Sequence, residues 1–293
     1  MNNELSHYIT YLSKEKKYSL YTIKSYTTDI ESFAEFMGGE FSWNEVDHKA
    51  VRKWVATLSA QNLSHRSINR KISALKSFFK FLYITKSVEN YPLELIKNLK
   101  VEKKVQIPFS EAELAKITRD EFSSDFFGFR DYLIVMMFYN LGVRKSELIH
   151  LQIQDCYEDT IRVLGKGNKE RHIPFSEKLK GLIKEYLQLR KDQYANPNSY
   201  FFLDKNGNKL NQTFVYRLIN NYFRGVTFKE KRSPHILRHS FATHLIQNGA
   251  EINAVKELMG HSSLSATQIY VNHNIEQLKK VYAKSHPRFQ KEE

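Results

Sequence analysis

The chain has 293 residues, 41% of them hydrophobic, enough for two domains with packed cores. A formal charge of +13 and an isoelectric point near 9.5 point to an anionic polymer as partner. The single cysteine, Cys156, excludes an internal disulfide and a cysteine-based zinc site, and the longest apolar run, Tyr132 to Tyr139, is too short for a membrane span of about 18 residues. The N-terminus lacks a basic stretch followed by an apolar core, so no secretory leader is read there and a cytoplasmic protein without membrane insertion is expected.

The first hundred residues read as four helices. The second carries Ile23, Tyr26, Ile30, Phe33 and Met37 at steps of three and four, one apolar face. The third carries Val51, Trp54, Val55 and Leu58, with Asp47 placed to cap it. The fourth starts near Ser64 and carries Ile68, Ile72, Leu75, Phe79 and Leu82. Its other faces hold Arg66, Arg70, Lys71, Lys76 and Lys80, and Arg66, Arg70 and Lys71 are candidate DNA contacts. Residues 98–108 lose periodicity and end at a proline, a linker signature after a first domain of residues 1–97. Ser110 and Glu113 then form a capping box that opens a second domain, residues 109–293. Residues 1–105 carry 17 Lys and Arg against 11 Asp and Glu, and residues 106–293 carry 28 against 21, so both parts are basic.

The second domain is predicted to be mainly helical with one small antiparallel sheet. Phe126 to Leu141 is a strongly apolar helix. Thr160–Leu164 and Glu170–Pro174 flank a Gly165-Lys166-Gly167-Asn168 turn, a hairpin signal. Helices follow near Glu177–Lys191 and Gln212–Arg224. Ser233-Pro234 is a cap with proline at the first helical position, opening a helix that should stop at Gly249. The last segment places Ile275, Leu278, Val281 and Tyr282 on one face. So short a helix must dock, either on its own domain or on a neighbouring protomer.

Six scattered residues read together as a phosphate-cutting site: Arg144, Lys166, His235, Arg238, His261 and Tyr270. Charge builds on the phosphate oxygens in the transition state of phosphodiester cleavage, and planar guanidinium groups bind such oxygens through paired, charge-assisted hydrogen bonds. Arg144 and Arg238 suit that clamp. His235 and Arg238, three apart near a helix start, share a face where free amides favour an anion. Tyr270 has an ordinary hydroxyl pKa near 10 and needs nearby positive charge and a base such as histidine to act as nucleophile. Lys166 at the hairpin tip can protonate a leaving 5′ oxygen. Lys169 and Arg171 compete for that role and are otherwise candidate DNA contacts. No acidic cluster resembles a two-metal site and no phosphate-binding Gly-rich loop ending in Lys-Ser/Thr appears, so no metal, nucleotide or other cofactor is expected.

The runs Gly142-Val143-Arg144, Gly165-Lys166-Gly167, Pro234-His235-Ile236-Leu237-Arg238-His239 and Met259-Gly260-His261, followed by Tyr270, resemble the tyrosine recombinase family over nearly the whole chain. The resemblance implies a mostly α fold, with a helical core-binding domain and a catalytic domain closing as a C-shaped clamp around double-stranded DNA at a recombination site. It implies that Tyr270 forms a 3′-phosphotyrosyl link on the way to a Holliday junction. Phosphate binding falls to Arg144, Arg238 and His261, base work to His235 and acid work to Lys166, with Glu147 supporting Arg144. It also implies a homo- or hetero-tetramer with a related recombinase, closed by a C-terminal exchange helix, and it admits a DNA translocase as a further partner. The size, the single N-terminal domain and His286-Pro287-Arg288 look most like Xer-type recombinases, which act in chromosome dimer resolution. No room for an additional arm-binding domain is read before Met1. The rival readings are a mobile-element integrase of the same family, a type IB topoisomerase-like enzyme and a purely DNA-binding protein.

Overall fold

Each periodic segment forms a helix in the computed structural model, which describes residues 2–39, 41–102, 106–165, 169–195, 198–260 and 274–288. The chain divides into two compact units, residues 1–104 and 105–293. The expected fold class, mostly helical with one small antiparallel sheet, is the one observed. No described helix is long and apolar enough to cross a membrane.

The first unit holds α1 (Asn2–Lys14), α2 (Leu20–Phe36), α3 (His48–Ala60) and α4 (His65–Ile84). Side chains of Ser19, Asp47 and Ser64 accept N–H bonds at the starts of α2, α3 and α4. The apolar faces meet around Phe33, Trp43, Trp54, Phe78 and Phe79, whose rings pack edge-on and stacked. The segment expected to begin a linker is partly anchored. The Asn69 side chain exchanges two hydrogen bonds with the backbone of Leu99, at 2.7 and 2.8 Å, and Leu99 packs on this core. Lys100 O lies 2.8 Å from His65 Nδ1. Main-chain pairing of this kind leaves no periodic trace in a sequence.

The second unit begins with α5 (Glu111–Ala115), opened by the Ser110–Glu113 capping box. Glu113 also binds Thr227 and Lys229, and Phe109 stacks on Phe223 at 4.2 Å. The core is built around α6 (Phe126–Leu141), buried on every side and packed against α8 (Glu177–Gln193) and α10 (Pro234–Gln247). The remaining elements are α7 (Lys145–His150), β1 (Thr160–Leu164), β2 (Glu170–Pro174), α9 (Gln212–Val226), α11 (Ile252–Leu258) and α12 (Asn274–Ser285). The strands pair antiparallel from Thr160↔Pro174 to Leu164↔Glu170.

The last helix docks on its own unit. Tyr282 is buried and donates to Asn140 O at 2.7 Å, and its ring stacks on His286 at 4.8 Å. Arg288 donates to Leu114 O at 2.6 Å and lies 5.7 Å from the Tyr139 ring. Tyr282 and His286 fill an apolar seat between α6 and α10, so within one chain the helix takes the own-domain docking that its amphipathic pattern allowed. Burial also raises the Tyr282 hydroxyl pKa.

Candidate active site

α6 ends at Gly142, which takes φ +57°. A Cβ there would lie 2.3 Å from Phe241 Cδ1, so both conformation and space demand glycine. The turn delivers Arg144 to the position just before α7. Its backbone N–H donates to Glu147 Oε2 at 2.7 Å, one half of a capping box. Its guanidinium donates to Glu147 Oε1 at 2.7 Å and to Gly260 O at 3.0 Å.

Glu147 is the hub. Its side chain is 3% exposed and receives two hydrogen bonds from Arg171, Nη1 to Oε1 at 2.9 Å and Nη2 to Oε2 at 2.8 Å. Burial alone would raise its pKa, but the bonds and charge of Arg171 and then the bonds from Arg144 bring it down to about 2. Arg238, on the first turns of α10, lies 3.8 Å from the same carboxylate. It is held by two backbone carbonyls, Nη1 donating to Gly142 O and Nη2 to Met259 O. Burial, then repulsion by Arg144, lowers its pKa to about 9. Three guanidinium groups around one carboxylate leave two positive charges in excess, which an anion would balance.

His235 precedes Arg238 by three residues and is exposed. The surrounding protein still strips part of its water, and the charges of Arg238, His239 and Arg144 act the same way. Its pKa falls below the ordinary value, so the ring is neutral near pH 7 and can accept a proton.

The structure brings Arg144, Glu147, Arg171 and Arg238 together. Lys166, His261 and Tyr270 lie outside the described residues; the chain on either side is described as far as Gly165, whose N–H donates to Lys169 O at 2.7 Å, and Gly260. Lys169 and Arg66 are exposed. Arg171, expected against DNA, is turned inward instead. Its side chain is 11% exposed and its Nε donates to Leu258 O at 2.8 Å. The signal was present in the sequence: Arg171 alternates with Ile173, which is buried, so both belong to the inner face of β2. Lys71, also expected at DNA, points 3.3 Å from the buried Asp29 and 5.9 Å from the Trp54 ring, because that carboxylate needs a counter-charge. Arg70 pairs with Asp29 too, yet its side chain stays 48% exposed.

A buried carboxylate that fixes arginines around an anion seat is the equipment of an enzyme acting on phosphoesters. Comparison with known proteins narrows this. The phage integrase family profile matches residues 109–277, and that of the phage integrase N-terminal SAM-like domain matches residues 5–86. Tyrosine recombinase XerC of Natranaerobius thermophilus is 35% identical, covering 98% of this chain and 100% of that protein. Tyrosine recombinase XerC of Bacillus subtilis strain 168 is 33% identical, covering 98% and 97%. Among solved structures, the XerH site-specific recombinase bound to palindromic difH substrate, in a post-cleavage complex, superposes with TM-score 0.72 at 24% identity, covering 97% of this chain and 84% of that one. The Tn1549 transposon integrase in complex with circular intermediate DNA superposes at 0.70 with 19% identity, covering 94% and 98%. At these identities the two structures establish the fold. The chain belongs to the phage integrase family of tyrosine recombinases. Its activity is Xer-like site-specific recombination, the breaking and rejoining of DNA strands.

Proposed function

We propose that this recombinase cuts DNA by attack of the Tyr270 oxygen on the scissile phosphorus, forming a 3′-phosphotyrosyl link and breaking the bond to the 5′ oxygen. His235 takes the tyrosine proton, and Lys166 supplies one to the departing 5′ oxygen. Arg144, Arg238 and His261 bind the non-bridging oxygens, with Glu147 holding Arg144 in place. The observation that carries this reading is the Glu147 hub, which supplies two excess positive charges where the transition state gains a second negative one. The charge comes from guanidinium groups, so the step needs no divalent metal. Bond energy is kept in the phosphotyrosine, so rejoining needs no fuel.

In this reading residues 1–97 form the core-binding domain, with Arg66 and Arg70 of α4 toward the phosphates, and the catalytic domain closes with it as a clamp on duplex DNA. Four protomers act on two sites. A helix exchanged between them would be α12 entering an identical seat on the neighbour, a swap that keeps every contact now made at home. The biological role we assign is chromosome dimer resolution. Genome-wide mapping of bound DNA gives one chromosomal site on this reading and element ends on the alternative of a mobile-element integrase.

The test of the chemistry uses Tyr270→Phe on a nicked duplex carrying a site selected by the protein from random-sequence DNA. The variant binds as the parent does and forms no covalent adduct. An adduct that persists on a denaturing gel moves the nucleophile elsewhere and sinks the reading.

A further inference from the structure

Arg171 donates from Nε and both Nη groups to protein acceptors, and its side chain is nearly enclosed, 11% exposed beside 4% for Arg238 and 36% for Arg144. One guanidinium thereby ties three segments: β2, which comes after Lys166 in the sequence; α7, which follows Arg144; and the end of α11, two residues before Gly260. Gly260 completes the fit. A Cβ on it would lie 2.9 Å from Arg171 Nη1 and 3.2 Å from both Cδ and Cζ. The carbonyl of the same Gly260 accepts from Arg144.

The charges give this tie a purpose. Glu147 orients Arg144 through a side-chain and a backbone hydrogen bond. A bare carboxylate doing so would cancel the positive charge it positions. Arg171 faces both oxygens of Glu147 in the bidentate geometry that neutralises a carboxylate best. We propose that Arg171 is a positioning residue that neutralises Glu147, so that Glu147 fixes Arg144 by geometry while Arg144 and Arg238 keep their full charge for the phosphate. Without Arg171, the next cation for Glu147 Oε2 is Arg238 Nη1 at 3.8 Å. The carboxylate is then drawn onto Arg238 and pulls it from the Gly142 and Met259 carbonyls. This inference rests on the assignment of Arg144 and Arg238 to phosphate binding.

The experiment measures single-turnover adduct formation and affinity by the full-length protein on the self-selected nicked duplex. Arg171→Met slows adduct formation about 100-fold, a size typical of losing one preorganised charge contact, and leaves affinity within about threefold because the hydrogen bonds of Arg171 go to the protein itself. Adding Glu147→Gln to Arg171→Met restores roughly tenfold, since the carboxylate no longer needs a counter-charge. Arg171→Lys lies between parent and Arg171→Met. A methylphosphonate at the scissile position lacks one charged oxygen and asks less of the clamp, so the Arg171→Met defect shrinks on it. A double variant slower than the single, with equal defects on both substrates, means Arg171 is only structural support and overturns the proposal. An affinity loss as large as the rate loss makes it a phosphate contact and overturns it equally. If Arg171→Met does not fold, Arg171→Lys with and without Glu147→Gln gives the same comparison. A persistent adduct in Tyr270→Phe overturns the catalytic reading itself and is distinguishable from all of these.

Discussion

Each unit buries a carboxylate that gathers basic side chains, Asp29 in the first and Glu147 in the second, and the two are used differently. Asp29 on α2 meets Arg70 and Lys71 of α4, and Arg70 remains half exposed. Glu147 on α7 meets three guanidinium groups, and only Arg144, 36% exposed, opens to solvent. In the first unit the acid absorbs a lysine and steadies an arginine at the surface. In the second it serves as the centre of a constellation whose members lie on β2, α10 and the turn before α7. A count of basic residues therefore overstates what a surface offers to DNA: Lys71 and Arg171 are committed to the protein's own acids.

The comparison breaks most visibly at Glu147. Glu147→Ala leaves three close guanidinium groups without their counter-ion. It lowers stability by about 3–5 kcal/mol and adduct formation by roughly 1,000-fold; denaturant titration and the nicked-substrate assay read the two effects. A variant that melts like the parent would mean the arginines are balanced elsewhere. Gly142→Ala comes next. It places a Cβ at φ +57° against Phe241 and disturbs the carbonyl that seats Arg238. It costs about 3 kcal/mol from strain and overpacking together, and an unchanged denaturation midpoint would refute the tight seat.

The C-terminal tail extends the comparison to a buried ionisable group with no acid bonded to it among the described residues. His286 packs among Tyr139, Phe241 and Tyr282, near Arg288 and His244, and burial lowers its pKa to about 3. The unfolded value is near 6.5, so the unfolded chain binds the extra proton. Stability is then full above about pH 6.5 and falls by about 1.4 kcal/mol per pH unit per proton as the pH drops toward 3. His244, also shifted down by burial, adds to the slope. Between pH 6.5 and 4.5 ordinary carboxylates contribute little, and Asn at position 286 should flatten the curve there. An unchanged slope in His286→Asn would assign the proton to another group.

The smallest effect is expected at Asp29. Charge alone says that Asp29→Asn should tighten DNA binding. If the acid steadies Arg70, affinity instead falls about three- to tenfold, roughly the worth of one phosphate contact, with the covalent step unchanged at saturating DNA. Tighter binding would show that net charge outweighs geometry on this face.

Much of this was legible in the sequence. The apolar steps of α2, α3 and α4, the Ser110–Glu113 box and the two hairpin strands all rest on local patterns, which a chain displays directly. Arg144 and Arg238 were read as guanidinium groups suited to an anion clamp, and Glu147 entered only through the resemblance to the family. The inward turn of Arg171 was missed although the alternation with Ile173 encodes it, because the eye assigns arginine to the surface. The seat of α12 could not be read, since amphipathicity says that a helix docks and not against what. The anchoring of Leu99 and Lys100 by His65 and Asn69 runs through main-chain atoms, which carry no residue identity.

Main-chain atoms also seat Arg238, and the two carbonyls involved are helix ends. Gly142 O caps α6 and Met259 O caps α11. The negative ends of two helix dipoles thus converge on one guanidinium, each equivalent to roughly half an elementary charge. They favour the protonated form that burial opposes, and they do so without another carboxylate to cancel the charge owed to the phosphate. The information for that seat lies in helix direction and length. A scan of side chains would register Gly142 and pass over position 259, where any residue that ends α11 in the same place supplies the same oxygen.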